Sequence, residues 1–220
     1  MKGAVTRALA LGFVALAVLP VLPARAEETA PPSAGAYIRP VGTLKVGDIV
    51  PPFRAEDIYG KEVCLEDLIR SGRKPVLAFW SMYCLACIQK FNAMVTVQAR
   101  FADRGIAVIS VNTDGEYRKG EQTVRDFIAD FEKRNGVKTN FPVLYDERNW
   151  LPQTLNIEFL PTIVTVDPRG RVAGIYQQFR EKTEADIIAG IEKLALDLLQ
   201  LYPAAAPAAG SGAVPCPSGK

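Results

Sequence analysis

The 220-residue chain contains no histidine, and that one absence removes several chemistries. Triads with an imidazole base, histidine-ligated zinc or copper sites and the C-x-x-C-H attachment of a c-type haem all require it. Ile88 follows Cys87 where the haem motif would put histidine. Cysteine is scarce: there are four, at positions 64, 84, 87 and 216, and a single C-x-x-C step, whereas a zinc site assembled from such steps needs two. No apolar run suggests a transmembrane bundle. Basic residues (26) are nearly balanced by acidic ones (24), without the cationic cluster by which proteins hold nucleic acid.

What is present begins with a leader. Lys2 and Arg7 make a basic start, Ala8 to Leu22 an apolar stretch, and Ala24-Arg25-Ala26 a small-x-small cleavage site. Residues 1–26 therefore read as a cleavable secretory signal peptide. Pro20 and Pro23 interrupt a stretch shorter than the ~20 residues of a spanning helix, so no permanent membrane span is expected after cleavage. No cysteine follows to accept a lipid. Cleavage removes Lys2, Arg7 and Arg25 and no acid, taking the formal charge from +2 to −1. The expected destination is the periplasm or another exported compartment, where cysteines without histidine point to disulfide chemistry rather than metal.

Composition and periodicity divide the rest. Residues 27–42, rich in Ala and Pro, read as a flexible linker, residues 43–202 as one domain, and residues 203–220 as a disordered tail. Phe53 to Ile58 and Glu62 to Leu65 flank Tyr59-Gly60 and predict a β-hairpin. Val76 to Trp80 reads as a buried strand opened by Lys74-Pro75, followed by a helix carrying Ile88, Phe91, Val95 and Ala102. Ile106 to Val111 is the next strand. A helix with Val124, Phe127, Ile128 and Phe131 then stops at Asn135-Gly136, and Phe141 to Tyr145 forms a third core strand. Thr162 to Val166 and Arg171 to Tyr176 pair across a type I turn at Asp167-Pro168-Arg169-Gly170. A last helix starts at the N-cap Thr183 and presents Ile187, Ile188, Ile191, Leu194 and Leu198 on one side. This order predicts an α/β fold with right-handed parallel crossovers and a final antiparallel hairpin.

A C-x-x-C step at a helix start suits reversible disulfide chemistry. Its sulfurs fall within bridging distance, and the helix terminus stabilises a thiolate on the first. Cys84 is the expected attacking thiol, and Cys87, one turn inside, the thiol that resolves a mixed disulfide. The segment Phe79-Trp80-Ser81-Met82-Tyr83-Cys84-Leu85-Ala86-Cys87, with Phe159-Leu160-Pro161-Thr162 downstream, resembles the active site of the thioredoxin superfamily. With Val46-Gly47-Asp48, Pro51, Phe53, Val111-Asn112 and the inserted helix before Phe141-Pro142-Val143, it is most similar to the exported TlpA/ResA-like branch.

The resemblance spans about Thr43 to Leu199. It implies a thioredoxin-like three-layer fold: a central mixed sheet flanked by helices, with an N-terminal β-hairpin and an inserted helix. It also implies a periplasmic thiol-disulfide oxidoreductase without cofactor or metal. Its partners would be exported protein thiols or disulfides and a membrane redox protein. Pro161 would be a cis-proline facing the pair, with the Leu160 backbone open to a substrate chain; otherwise it is an ordinary proline at a strand start. Trp80 and Tyr83 would support the site, although Trp80 equally suits a core role.

Three departures accompany the likeness: Leu85-Ala86 separates the cysteines without proline, Ala78 stands where thioredoxins bury an aspartate, and Lys90 replaces the glutamate of cytochrome-maturation relatives. Lys90 is either a solvated helix lysine or a cation that favours the thiolate. Glu158 is either an exposed loop acid or a carboxylate brought near the pair. Ser81, three residues before Cys84, allows a peroxiredoxin-like thiol peroxidase, against which Leu77 stands where that family has proline. A Cu(I) carrier using both thiolates is a further alternative. Cys64, expected to face away from Val63 and Leu65 on its strand, and Cys216 are open to pairing with each other or with partner chains. Dithiols of this kind span about −270 to −120 mV, so the motif is compatible with reductase or oxidase.

Overall fold

The computed structural model describes residues 43–117, 120–177 and 183–203. The signal peptide and linker expected over 1–42 lie outside these residues, as do 204–220 of the expected tail, including Cys216.

The domain opens with the hairpin β1 (Arg54–Glu56) and β2 (Glu62–Cys64), paired antiparallel. Its turn is held by one side chain: Asp57 Oδ1 accepts the N–H groups of Tyr59 and Lys61, each at 2.9 Å. Gly60, at φ 80°, supplies the left-handed residue the turn needs. The second strand ends a residue earlier than its sequence suggests. Cys64 caps a short helix, α1 (Leu65–Arg70), and its sulfur accepts the Asp67 N–H. Val63, Cys64 and Leu65 are consequently all buried. The strand-like alternation that would have turned Cys64 away from its neighbours is lost because the chain changes period at Leu65.

The central sheet has the order β5-β4-β3-β6-β7. Strands β3 (Lys74–Trp80), β4 (Ile106–Asn112) and β5 (Val143–Tyr145) are parallel; β6 (Thr162–Val166) and β7 (Val172–Tyr176) add antiparallel strands. Every residue of β3 and β4 is buried, as a continuous apolar run implies for a strand covered on both sides. Along β3, Val76, Ala78 and Trp80 point to one face, and Leu77 and Phe79 to the other.

Three helices contribute to the first face: α2 (Leu85–Phe101), the inserted α3 (Gly120–Asn135) and α5 (Glu184–Leu201). The α3 helix ends before Gly136 at φ 63°. At the start of α5, Thr183 and Asp186 form a reciprocal capping box, a device worth about 1 kcal/mol. The second face is covered by Leu44, Val50, Phe53 and Leu65 with Leu151 of α4 (Trp150–Thr154). The result is a three-layer arrangement with its N-terminal hairpin in a separate two-stranded sheet. The β6–β7 turn repeats the hairpin's solution, Asp167 Oδ1 accepting Arg169 N–H at 2.8 Å and Arg171 N–H at 2.9 Å. Among the described residues no helix is long and apolar enough to cross a membrane.

Candidate active site

At the carboxyl end of β3, the central strand, the chain leaves the sheet after Trp80, crosses Ser81 to Tyr83 and enters α2 at Cys84. Openings of this kind, beyond the carboxyl ends of parallel strands, are where α/β sheets place their chemistry. Cys84 is the N-cap, with extended backbone (φ −101°, ψ 101°), and its Sγ accepts the Cys87 N–H at 3.1 Å. The first turn of α2 carries no acidic residue, so no carboxylate offsets the positive end of the helix. Cys84 and Cys87 are joined by a disulfide with a Cα–Cα separation of 5.2 Å. Cys84 is half-buried while Cys87 is 2% exposed. That asymmetry distinguishes the two sulfurs: a substrate can reach the first and not the second.

The loop ahead of Cys84 hangs on a carboxylate that the sequence reading passed over. Asp114, fully buried just beyond β4, accepts the Met82 N–H at 2.8 Å, the Asn112 amide at 2.7 Å and the Ser81 hydroxyl. Ser81 Oγ in turn accepts the Tyr83 N–H at 3.1 Å. Thr113 completes the join, its N–H donating to the Trp80 carbonyl at 2.9 Å. The loops after β3 and β4 are thus fastened together, which sets the direction in which α2 starts. Gly115 follows because nothing larger fits: a Cβ there would lie 2.4 Å from the Asp146 carbonyl oxygen. A polar Asn-Thr-Asp-Gly run closing an apolar strand was the available signal.

Across from the pair, the Leu160–Pro161 peptide is cis. The Thr162 hydroxyl donates to the Phe159 carbonyl at 2.7 Å and accepts from the Gln177 amide at 2.8 Å, pinning this turn to the start of β6. Pro161, Cys87 and Trp80 line a common cavity. Trp80 itself is core: its ring packs edge-on to Phe91 (5.2 Å between centroids) and tilted against Phe127 (5.5 Å). Tyr83, Leu85 and Phe159 are exposed apolar side chains, at 60%, 72% and 52%. Glu158 is exposed in the loop before Phe159. Lys90 departs most from expectation: instead of a solvated helix lysine it is 3% exposed and lines the cavity beside Cys87. Its position, one turn past a cysteine already on the inner side of α2, carries it inward.

The perturbed carboxylates lie elsewhere. Burial pushes Glu66 up, next to the Cys64 cap. Burial would also raise Glu132, but hydrogen bonds from Lys138 Nζ (2.6 Å) and Thr139 N–H (2.8 Å) hold it below the usual range. These groups belong to α1 and to the end of α3, not to the loops at the cysteines.

Comparison with known proteins gives a consistent result. The AhpC/TSA family profile matches residues 46–175. The thiol-disulfide oxidoreductase ResA of Bacillus subtilis is 29% identical over 133 residues, 60% of this chain and 68% of its own length. Thioredoxin-like protein YneN of the same organism is 30% identical over 155 residues, 70% of this chain and 81% of its own. Among solved structures, one described as the thiol:disulfide interchange protein DsbE from Chlorobium tepidum superposes with a TM-score of 0.57 at 28% identity. That superposition covers 71% of this chain and 99% of the other. The three-layer fold is thioredoxin-like, and the matched span holds both cysteines and the cis-proline turn.

Proposed function

The chain belongs to the AhpC/TSA family, and from its likeness to thiol-disulfide oxidoreductases and the unequal burial of its paired cysteines we propose that it is an exported thiol-disulfide oxidoreductase acting through Cys84 and Cys87. The observation that carries the reading is the N-cap geometry. Cys84 is reachable, its sulfur receives the Cys87 N–H at the positive end of α2, and its partner sulfur is buried one turn inside. In the reducing direction, the Cys84 thiolate attacks a substrate disulfide, one substrate sulfur leaves as a thiolate, and a mixed disulfide forms. Cys87 then attacks Cys84 Sγ and releases the second substrate sulfur. The opposite direction runs the same steps in reverse. No cofactor or metal enters either scheme.

The cis-proline turn supports docking of an extended substrate segment along the Leu160 backbone, with Tyr83, Leu85 and Phe159 as apolar contacts around the reacting sulfur. Exported protein thiols or disulfides are the substrates this arrangement suits, with a membrane redox protein to restore the pair. The leader-like residues 1–26 support a periplasmic location. Ser81, on which a peroxidase reading would rest, gives its hydroxyl to Asp114, and this favours exchange over peroxide reduction.

Cysteine variants test the assignment. Cys84→Ser is expected to abolish exchange with a model protein disulfide, whereas Cys87→Ser retains attack and accumulates mixed disulfides visible on non-reducing gels. Equal trapping by Cys84→Ser would overturn the roles, and rapid, saturable oxidation of the reduced protein by hydrogen peroxide would favour the peroxidase instead.

A further inference from the structure

Between the sheet and the inner side of α2 lies a cavity of about 20 Å³, enough for one water, which needs roughly 10–15 Å³ of such space. Cys87, Pro161, Trp80 and Ala78 form part of its wall. Two polar residues share that wall and have no task in the exchange steps above: Lys90, from the turn of α2 after Cys87, and Ser110, which sits opposite Ala78 in the β3–β4 pair. Burying an ammonium group costs several kcal/mol of lost hydration, so a lysine 3% exposed is an unusual choice for a helix residue. Ser110 Oγ is buried with no hydrogen-bond partner among the described residues, an arrangement that calls for a water or a transient partner.

We propose that Lys90 and Ser110, together with a water admitted to this cavity, stabilise the thiolate of Cys87 while it resolves the mixed disulfide. The proposal rests on the exchange reaction assigned above and deepens it. In the mixed disulfide, Cys87 is a buried thiol, and burial alone disfavours its charged form. The positive charge of Lys90 opposes that penalty, and the Ser110 hydroxyl or its water donates toward the sulfur. The Cys87 proton passes to solvent, and the thiolate attacks Cys84 Sγ. The Cys84–Cys87 bond forms as the bond from Cys84 to the substrate sulfur breaks. The substrate leaves with that electron pair and takes up a proton from solvent; the enzyme dithiol is oxidised and the substrate disulfide reduced.

The other charged groups on this side are differently placed. Asp114 is occupied beneath Ser81 and Met82, and Glu158 is exposed ahead of the cis-proline. On the outer side of α2, Glu184 accepts from Asn92, and Glu192 pairs with Arg100 farther along the helix. Of these groups only Lys90 shares the cavity with Cys87. Its action is therefore assigned to the resolving sulfur, not to the attacking one.

Stopped-flow reaction of the reduced, mature protein with an aromatic disulfide that releases a coloured thiolate separates the two sulfurs. The first release reports attack by Cys84, the second resolution by Cys87. In Lys90→Met the second phase should slow about tenfold at neutral pH and its pH midpoint should rise by about one unit, the equivalence of a tenfold change. The first phase should stay within about twofold, since Cys84 is not among the residues that line the cavity Lys90 enters. Lys90→Arg should restore much of the second phase. Ser110→Ala should slow it about fivefold, roughly the worth of one hydrogen bond. An unchanged second phase in Lys90→Met, or both phases shifting together, overturns the proposal. If Lys90→Met does not fold, unaltered second phases in Ser110→Ala overturn it equally. Absence of both phases in the unsubstituted protein would instead overturn the exchange reading itself.

Discussion

On the face of the sheet beneath α1 and the N-terminal segment, Leu77, Phe79, Ile109, Val111 and Val164 pack against Leu44, Phe53 and Leu65 with almost nothing polar among them. On the face beneath α2, α3 and α5, the same strands contribute Ala78, Trp80, Val108 and Ile163; the Trp80 ring packs on Phe91 and Phe127, and Phe131 and Phe141 pack in turn on Phe91. Here Lys90, Gln98 and Ser110 are buried among the apolar residues. Gln98 has a structural reason, since its amide oxygen accepts the Val108 N–H at 2.7 Å. Lys90 and Ser110 line instead the cavity that Cys87 also lines. One face is packed almost wholly with apolar side chains, while the other admits polar ones beside Cys87, the sulfur to which the proposal gives a change of charge.

That contrast makes separable predictions. The largest effect on stability belongs to the face beneath α1: Phe79→Ala should cost about 3–5 kcal/mol, the usual range for emptying a filled aromatic core site. Denaturant unfolding checks the loss, and the reduction potential of the folded protein should not move. A shifted potential would break the distinction between the faces. A smaller stability loss, about 2 kcal/mol, is expected for Asp114→Ala, which leaves the Met82 N–H, the Asn112 amide and the Ser81 hydroxyl without their acceptor. Unlike Phe79→Ala, it should also slow attack by Cys84, because the loop that sets the N-cap is no longer fastened. Comparing first-phase rates in the two variants sharpens the comparison: equal rates would mean that the loop junction is merely structural.

How much of this was legible in the sequence follows from the range of the interactions. The strands Val76 to Trp80, Ile106 to Val111 and Thr162 to Val166 are long apolar runs between turn residues, and each appears where its pattern puts it. The cap at Thr183 and the stop at Gly136 are local signals too, and both are found. The cysteine pair and Pro161 were legible because the chemistry and the family likeness both mark short contiguous motifs. Helices α1 and α4 were not, since six and five residues carry too little periodicity, and α1 took Leu65 from the expected strand. Asp114 and the burial of Lys90 depend on contacts across the fold: Asp114 serves a loop 32 residues earlier in sequence, and Lys90 enters a cavity walled by residues of β3, β4 and β6. Composition makes a lysine look solvated, and only the packed helix reverses that.

The account as a whole depends on Cys84–Cys87 being a working redox couple and not a fixed bridge. The direct measurement is a glutathione redox titration of the protein, with alkylation and mass spectrometry to locate the thiols at each point. The account predicts one reversible two-electron transition in which Cys84 and Cys87 appear together as thiols, at a midpoint between about −270 and −120 mV. Retention of the Cys84–Cys87 bond across that whole range, with no mixed disulfide to glutathione at Cys84, would contradict it.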